Sequence, residues 1–383
     1  MARALYIHWP FCLKKCPYCD FNSHVRDSVD VGQWRHALIA DMRREAEVAG
    51  GEPLESIFFG GGTPSLMPPE LVGDLLQEAE VLWGFEANVE ITLEANPSSV
   101  EAAKFAGLAS AGVNRVSLGI QSLADDCLQF LGRLHSAAEA LAALDIAQAQ
   151  FARVSFDLIY ARPGQTEAEW ADELTRALAL GTDHLSLYQL TIEPSTRFAT
   201  DVRIGAFTPL PDDPAADLYA KTLEMTENAG ISAYETSNFA RPGQQSRHNL
   251  TYWRYADYCG IGPGAHGRRN GVATERHKKP ETYLSKAETA GDGIQTSRDL
   301  GPHEQVSEAI MMGLRLVEGI DLGALESRFG IGRNDLIQAR RLALHCDLGL
   351  MWQDDDRIGV TKAGMPVLDA LLGELVGDAL VTT

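Results

Sequence analysis

Long apolar runs are missing from this chain of 383 residues. A membrane span needs roughly 20 predominantly apolar residues in succession, and no stretch approaches that length. The opening Met-Ala-Arg-Ala-Leu-Tyr-Ile-His lacks an apolar core followed by a small-residue cleavage site, so no secretory signal is expected. The expectation is a cytoplasmic protein without a stable membrane anchor. Basic residues are also scarce: 33 Lys and Arg face 53 Asp and Glu, a formal net charge of −20. Such a surface repels phosphate backbones, which disfavours nucleic acid as a partner. Cysteine is sparse and unevenly spread. A disulfide framework disperses its cysteines through a short secreted chain. Here Cys12, Cys16 and Cys19 crowd together, while Cys127, Cys259 and Cys346 stand alone and read as small buried apolar residues.

What is present is ample core material, with 45% hydrophobic residues, enough for one large domain and a smaller one. From residue 3 to about 193 short β-branched runs alternate with helical patterns. The strand candidates are Ala4–Trp9, Ser56–Phe59, Val89–Leu93, Val116–Ile120, Val154–Tyr160 and Leu185–Leu190, with helices between them. Six repeated βα units predict a parallel sheet curved into a partial barrel, an α/β fold. Chemistry in such barrels collects at the C-terminal ends of the strands. Residues 195–300 read as irregular apart from a helix over Ala215–Ala229. After Pro302 three helices and a hairpin predict a mostly helical, winged-helix-like module. Its 13 acidic against 7 basic residues favour packing or partner docking over DNA binding. The expected division is therefore 1–205, 206–300 and 301–383.

Cys12-Leu-Lys-Lys-Cys16-Pro-Tyr-Cys19 is the most informative stretch. Soft thiolates select zinc, copper(I) or iron–sulfur clusters. A closed zinc site needs four ligands, usually as two distant pairs, and the second pair is missing here. Three thiolates can instead hold three corners of a cubane and leave the fourth iron to an exogenous ligand. A zinc loop completed by His24 or by a partner chain is the alternative.

The cysteine spacing, the aromatic Tyr18 before the third cysteine, and Tyr6-Ile-His-Trp-Pro-Phe-Cys12 together resemble the radical SAM superfamily. The likeness runs over nearly the whole chain. It points to the branch that contains oxygen-independent coproporphyrinogen oxidase and the haem chaperones. The resemblance implies a 4Fe–4S cluster on Cys12, Cys16 and Cys19 in a (βα)6 radical SAM barrel, and S-adenosylmethionine (SAM) bound beside it. It implies SAM contacts for Tyr6, Tyr18, Gly61, Gly62 and Thr63, and a ribose-binding role for Glu94. Gln121, Arg133 and Asp157 match positions lining a second SAM site, although an ion pair involving Arg133 and Asp157 is an equally good reading. Arg162 departs from the family pattern after Asp157 and puts a charge near the barrel mouth.

Two details separate the branches. The oxidases carry a further cysteine two residues after the third, whereas Asp20-Phe21 follows Cys19 here. Arg247-His248-Asn249-Leu250-Thr251-Tyr252-Trp253 matches a motif of the haem chaperones, which implies His248 as an axial haem ligand in an irregular loop. The bland reading of that loop is an anchor of aromatics against the barrel. The expectation is a haem chaperone with no catalytic residue, serving acceptor haemoproteins such as respiratory enzymes, with dimerisation left open. The alternative is oxygen-independent coproporphyrinogen III oxidase. His8 and His266 have no assigned role.

Overall fold

The computed structural model describes residues 3–376 except 27 and 51. Its frame is set by six parallel strands: β1 (Ala4–Trp9), β2 (Leu54–Gly61), β3 (Phe85–Ala95), β4 (Arg115–Gln121), β5 (Arg153–Tyr160) and β6 (His184–Gln189). They lie side by side in chain order, as repeated right-handed βα units require. Side chains alternate across each strand. Leu5 and Ile7 of β1, both fully buried, face the helical layer, while Tyr6 and His8 point the other way. The helices begin where the sequence caps them. Asp30 caps Val31–Ala49, and full capping boxes, Ser136 with Glu139 and Thr166 with Glu169, open Ala137–Gln150 and Glu167–Leu178.

The segment expected to be irregular extends this sheet on both sides. Beyond β6 lie β7 (Ser232–Ala233) and β8 (Asn238–Ala240). Beyond β1 lie β9 (Tyr258–Ile261), β10 (His266–Arg269), β11 (Val272–Arg276) and β12 (Ile294–Asp299). β9 is parallel to β1, and the next three strands are antiparallel. They escaped notice because Gly and Arg interrupt their apolar pattern. Buried ion pairs replace apolar contacts there: Arg276 meets Asp41 and Glu45, and Arg269 meets Glu45, all on the helix Val31–Ala49.

Residues 302–375 form helices around a small sheet of β13 (Ile320–Asp321), β14 (Met351–Asp354) and β15 (Arg357–Val360). The helix read over Val100–Ala109 is two short ones, Ser99–Ala102 and Phe105–Ser110.

Candidate functional site

A cavity of about 140 Å³ opens at the C-terminal ends of the barrel strands. Its wall carries Cys12, Cys16 and Cys19, Tyr18 between them, Gly61, Gly62 and Thr63 from the end of β2, and Glu94, Gln121, Arg133 and Asp157. Residues spread over 146 positions of sequence thus meet at one place (157 − 12 + 1). Two expected members are not on that wall, Tyr6 and His248.

The thiol loop leaves β1 and is pinned at several points. A turn closes with Cys19 N–H donating to Cys16 O at 3.2 Å. Thr63 Oγ1 donates to Cys12 Sγ at 3.5 Å, and Arg133 Nη1 donates to Cys16 Sγ at 3.3 Å. Burial raises the thiols of Cys12 and Cys19 above their ordinary range, so a cation is needed to hold them as thiolates. Among the described residues no three His, Cys, Asp or Glu side chains are gathered closely enough to enclose a single metal ion, the three cysteines included. Three sulfurs on an open cavity wall fit a cluster that leaves one iron for another ligand better than a closed zinc site. His24 Nε2 lies 3.2 Å from Asn22 Oδ1.

The rest of the wall is short of partners. Gln121 Oε1 and Arg133 Nε are buried with no hydrogen bond. Gln121 also has φ 72°, a left-handed conformation that L side chains adopt at a cost and that clusters at ligand sites. Burial, then the nearby Asp157, pushes the Glu94 carboxyl up to about 8, although Gly61 N–H donates to it at 3.3 Å. Asp157 rises to about 6 through burial, against the hydrogen bonds of Ser186 and Ser117. Two carboxyls kept partly protonated and an unpaired amide oxygen form a surface that a ligand bearing hydroxyls and positive charge would complete. The glycines are required by packing behind the wall: a Cβ on Gly61 would meet the His8 ring at 2.6 Å, and one on Gly62 the Phe11 carbonyl at 2.7 Å.

Arg133 and Asp157 do not pair with one another. The guanidinium instead donates to Asn96 Oδ1 at 2.5 Å and to Gly119 O at 2.8 Å, besides Cys16. Asn96 in turn donates to Thr63 Oγ1 at 3.1 Å. Asn96 and Ser117, whose hydroxyl donates to Asp157 Oδ1 at 3.2 Å, were not singled out by sequence. The Glu94-Ala-Asn96-Pro97 context was the only hint. Arg162 is removed from the mouth: it is buried and bonded to Glu173 at 2.6 Å and to Ser122 at 3.3 Å.

Tyr6 and His8 lie beneath the cavity. His8 Nε2 sits 2.9 Å from Asn22 O, and a carbonyl can only accept, so Nε2 carries the proton. Nδ1 then accepts from Tyr6 O–H at 2.9 Å. The neutral ring agrees with a pKa lowered to about 4 by burial.

The segment around His248 is not the irregular loop expected. The motif forms a helix, Arg247–Trp253, and the ring is 2% exposed. Nε2 meets Tyr252 Oη at 2.8 Å and Nδ1 meets Ser56 Oγ at 3.2 Å. The ring stacks on Phe58 at 4.8 Å, and burial lowers its pKa to about 3. Ser246 caps the helix and, with the His248 N–H, is bound to Glu90, which is held by Arg153. Both ring nitrogens thus have protein partners. The bland reading of that segment, aromatics anchored to the barrel, describes this geometry.

Comparisons with known proteins agree with the arrangement. A Radical SAM superfamily model matches residues 6–177, and a HemN C-terminal domain model matches residues 300–367. The chain is 42% identical over 327 residues to mitochondrial radical S-adenosyl methionine domain-containing protein 1 of Mus musculus, covering 83% of this chain and 74% of that one. It is 41% identical to heme chaperone HemW of Haemophilus influenzae, covering 86% and 87%. The fold matches that of the solved coproporphyrinogen III oxidase (HemN) of Escherichia coli, a radical SAM enzyme, with a TM-score of 0.82 over 97% of this chain and 89% of that one, at 22% identity. Open thiols, strand-end carboxyls and this extent of likeness together establish that the chain belongs to the HemW family of the radical SAM superfamily.

Proposed function

We propose that this protein binds haem and passes it to acceptor haemoproteins, with a 4Fe–4S cluster and SAM held in the barrel mouth. The observation that carries the reading is the likeness, over at least 82% of both chains, to relatives named as heme chaperones. The mouth supports it. Cys12, Cys16 and Cys19 would hold the cluster, and the backbone of Gly61, Gly62 and Thr63 would meet the amino-acid end of SAM. Glu94 would accept from its ribose hydroxyls. Gln121, Arg133 and Asp157 would line a second ligand position, with Arg133 offsetting thiolate charge at Cys16. A bound 4Fe–4S cluster supplies an open iron for an amine and a carboxylate, and a source of one electron.

In this proposal residues 1–205 carry the cluster and SAM, 206–300 contribute the haem-binding surface, and 301–383 serve packing or docking. Respiratory haemoproteins as acceptors, and a cytoplasmic setting, belong to the same proposal. No helix among the described residues is long and apolar enough to cross a membrane.

The test is anaerobic reconstitution with iron and sulfide, then addition of SAM, haem and an apo-haemoprotein. Expected are about four iron atoms per chain, a haem absorbance change, and transfer of that haem to the acceptor. Sustained conversion of coproporphyrinogen to protoporphyrinogen with SAM and reductant, without haem transfer, would replace the chaperone reading by oxidative decarboxylation.

A further inference from the structure

The rim beside the thiol loop carries a second cluster of groups that the cavity does not use. Asn22 holds it together: its Nδ2 donates to Pro263 O at 2.8 Å and to Lys278 O at 2.9 Å. A Cβ on Gly264 would strike that amide at 2.5 Å, so the two segments are packed as closely as glycine allows. His24 follows Asn22, and His266 opens β10. Both are near enough to His8 to affect its charge.

His266 contrasts with His248 in every respect that matters to iron. Its side chain is 55% exposed, and its Nδ1 faces Glu275 Oε1 at 3.7 Å. At that distance the carboxylate stands beside Nδ1 without a hydrogen bond. With Nε2 on a metal, Nδ1–H could close on that carboxylate, the usual way in which proteins orient a ligating imidazole. Among the described residues no hydrogen bond reaches Nε2. Asn22 ties the loop that carries Phe21 to the segment Pro263–Lys278, which contains His266. Phe21 and Val25 are 58% and 47% exposed. Lys14, Lys15, Lys278 and Lys279 are exposed in a chain of net charge −20. Of the acids there, Asp20 is exposed beside Phe21 and Glu281 is paired with Arg26 at 2.6 Å.

We propose that haem is received on this rim, with His266 Nε2 as the axial ligand to its iron. The flat porphyrin lies on the apolar patch of Phe21 and Val25, and its two propionates meet the lysines. Only an Fe–N bond forms, with no change in oxidation state. The inference rests on the haem-binding reading above and adds where, and through which nitrogen, the haem is held. It also places the haem next to the thiol loop, because Phe21, Lys14 and Lys15 border the cavity as well.

The test is titration of the reconstituted full chain with haem and, separately, with iron-free protoporphyrin, comparing wild type, His266→Ala, Glu275→Gln and His248→Gln. Expected for His266→Ala is a lost ligand signature in the haem spectrum. Its affinity for haem falls about tenfold or more, roughly 1.4 kcal/mol per decade, to that for iron-free porphyrin. Glu275→Gln weakens haem by about tenfold and leaves iron-free porphyrin unchanged, which a purely structural role would not do. His248→Gln keeps the wild-type spectrum. An unchanged spectrum and affinity in His266→Ala, with wild type binding haem, overturns the site alone. Absence of haem binding by wild type overturns the chaperone reading and the site with it.

Discussion

The two ends of the barrel are built from similar polar residues and are used in opposite ways. At the floor, His248, Ser56, Tyr252, Glu90 and Arg153 form a closed set in which each named group finds a protein partner. At the mouth, Gln121 Oε1 and Arg133 Nε are buried without one, and the buried Glu94 and Asp157 carboxyls repel one another across the cavity. A buried polar group costs about 1–3 kcal/mol when unpaired. The floor avoids that cost, and the mouth retains it until a ligand arrives. Partner satisfaction therefore separates the structural histidine motif from the ligand site more reliably than residue type does.

The comparison can be broken first at the mouth. Replacing any one of Cys12, Cys16 or Cys19 by Ser should abolish cluster retention, read as iron and sulfide near background after reconstitution, with the melting temperature of the cluster-free protein almost unmoved. Retained iron at the wild-type level would mean the sulfurs are not the ligands. At the floor the signature reverses. His248→Ala leaves Tyr252 and Ser56 unpaired and opens a void under Phe58, so stability should fall by about 2–4 kcal/mol in urea denaturation while iron content is retained.

Glu94 sharpens the contrast through pH. Its folded pKa, about 8, lies above the ordinary carboxylate value of 4.5. Between those values the folded protein holds a proton that the unfolded chain has released. Stability of the cluster-free protein is thus greatest below about pH 4.5 for this group and is lost as pH rises through 8. Asp157, with a folded value of about 6, adds the same sign lower down. Glu94→Gln should flatten the fall in urea midpoint between pH 5 and pH 8, and an unchanged slope would show that Glu94 is ionised throughout. The smallest effect expected is at the cap of the floor helix, where Ser246→Ala should cost about 1 kcal/mol with no change in iron or haem binding.

Much of the mouth was legible in the chain because its motifs are local. Cys12 to Cys19 is one loop, and Gly61-Gly62-Thr63, Glu94, Gln121 and Asp157 lie at or near the ends of runs with β-branched or apolar character. The six core strands could be read for the same reason, since apolar runs between capped helices carry their own signal. β10 and β11 could not, because their burial rests on Arg269 and Arg276 meeting Asp41 and Glu45 more than 220 residues away. Charged residues with no apolar rhythm look like loop until their partners are known. Arg162 misled for a related reason: a lone arginine near a strand end suggests a charged mouth, and only Glu173 shows it to be internal.

The sequence by itself determined the thiol loop, the order of the parallel strands and the set of groups available at their ends, because spacing and alternation are properties of neighbours along the chain. Tertiary structure alone decided which histidines are buried among partners and which are exposed. His248 and His266 are both single histidines among glycines, aromatics and polar residues in sequence. Packing seals one between Ser56 and Tyr252 and leaves the other at the rim with a carboxylate behind it. Availability of a lone pair depends on partners that come from distant strands, and no local pattern encodes them.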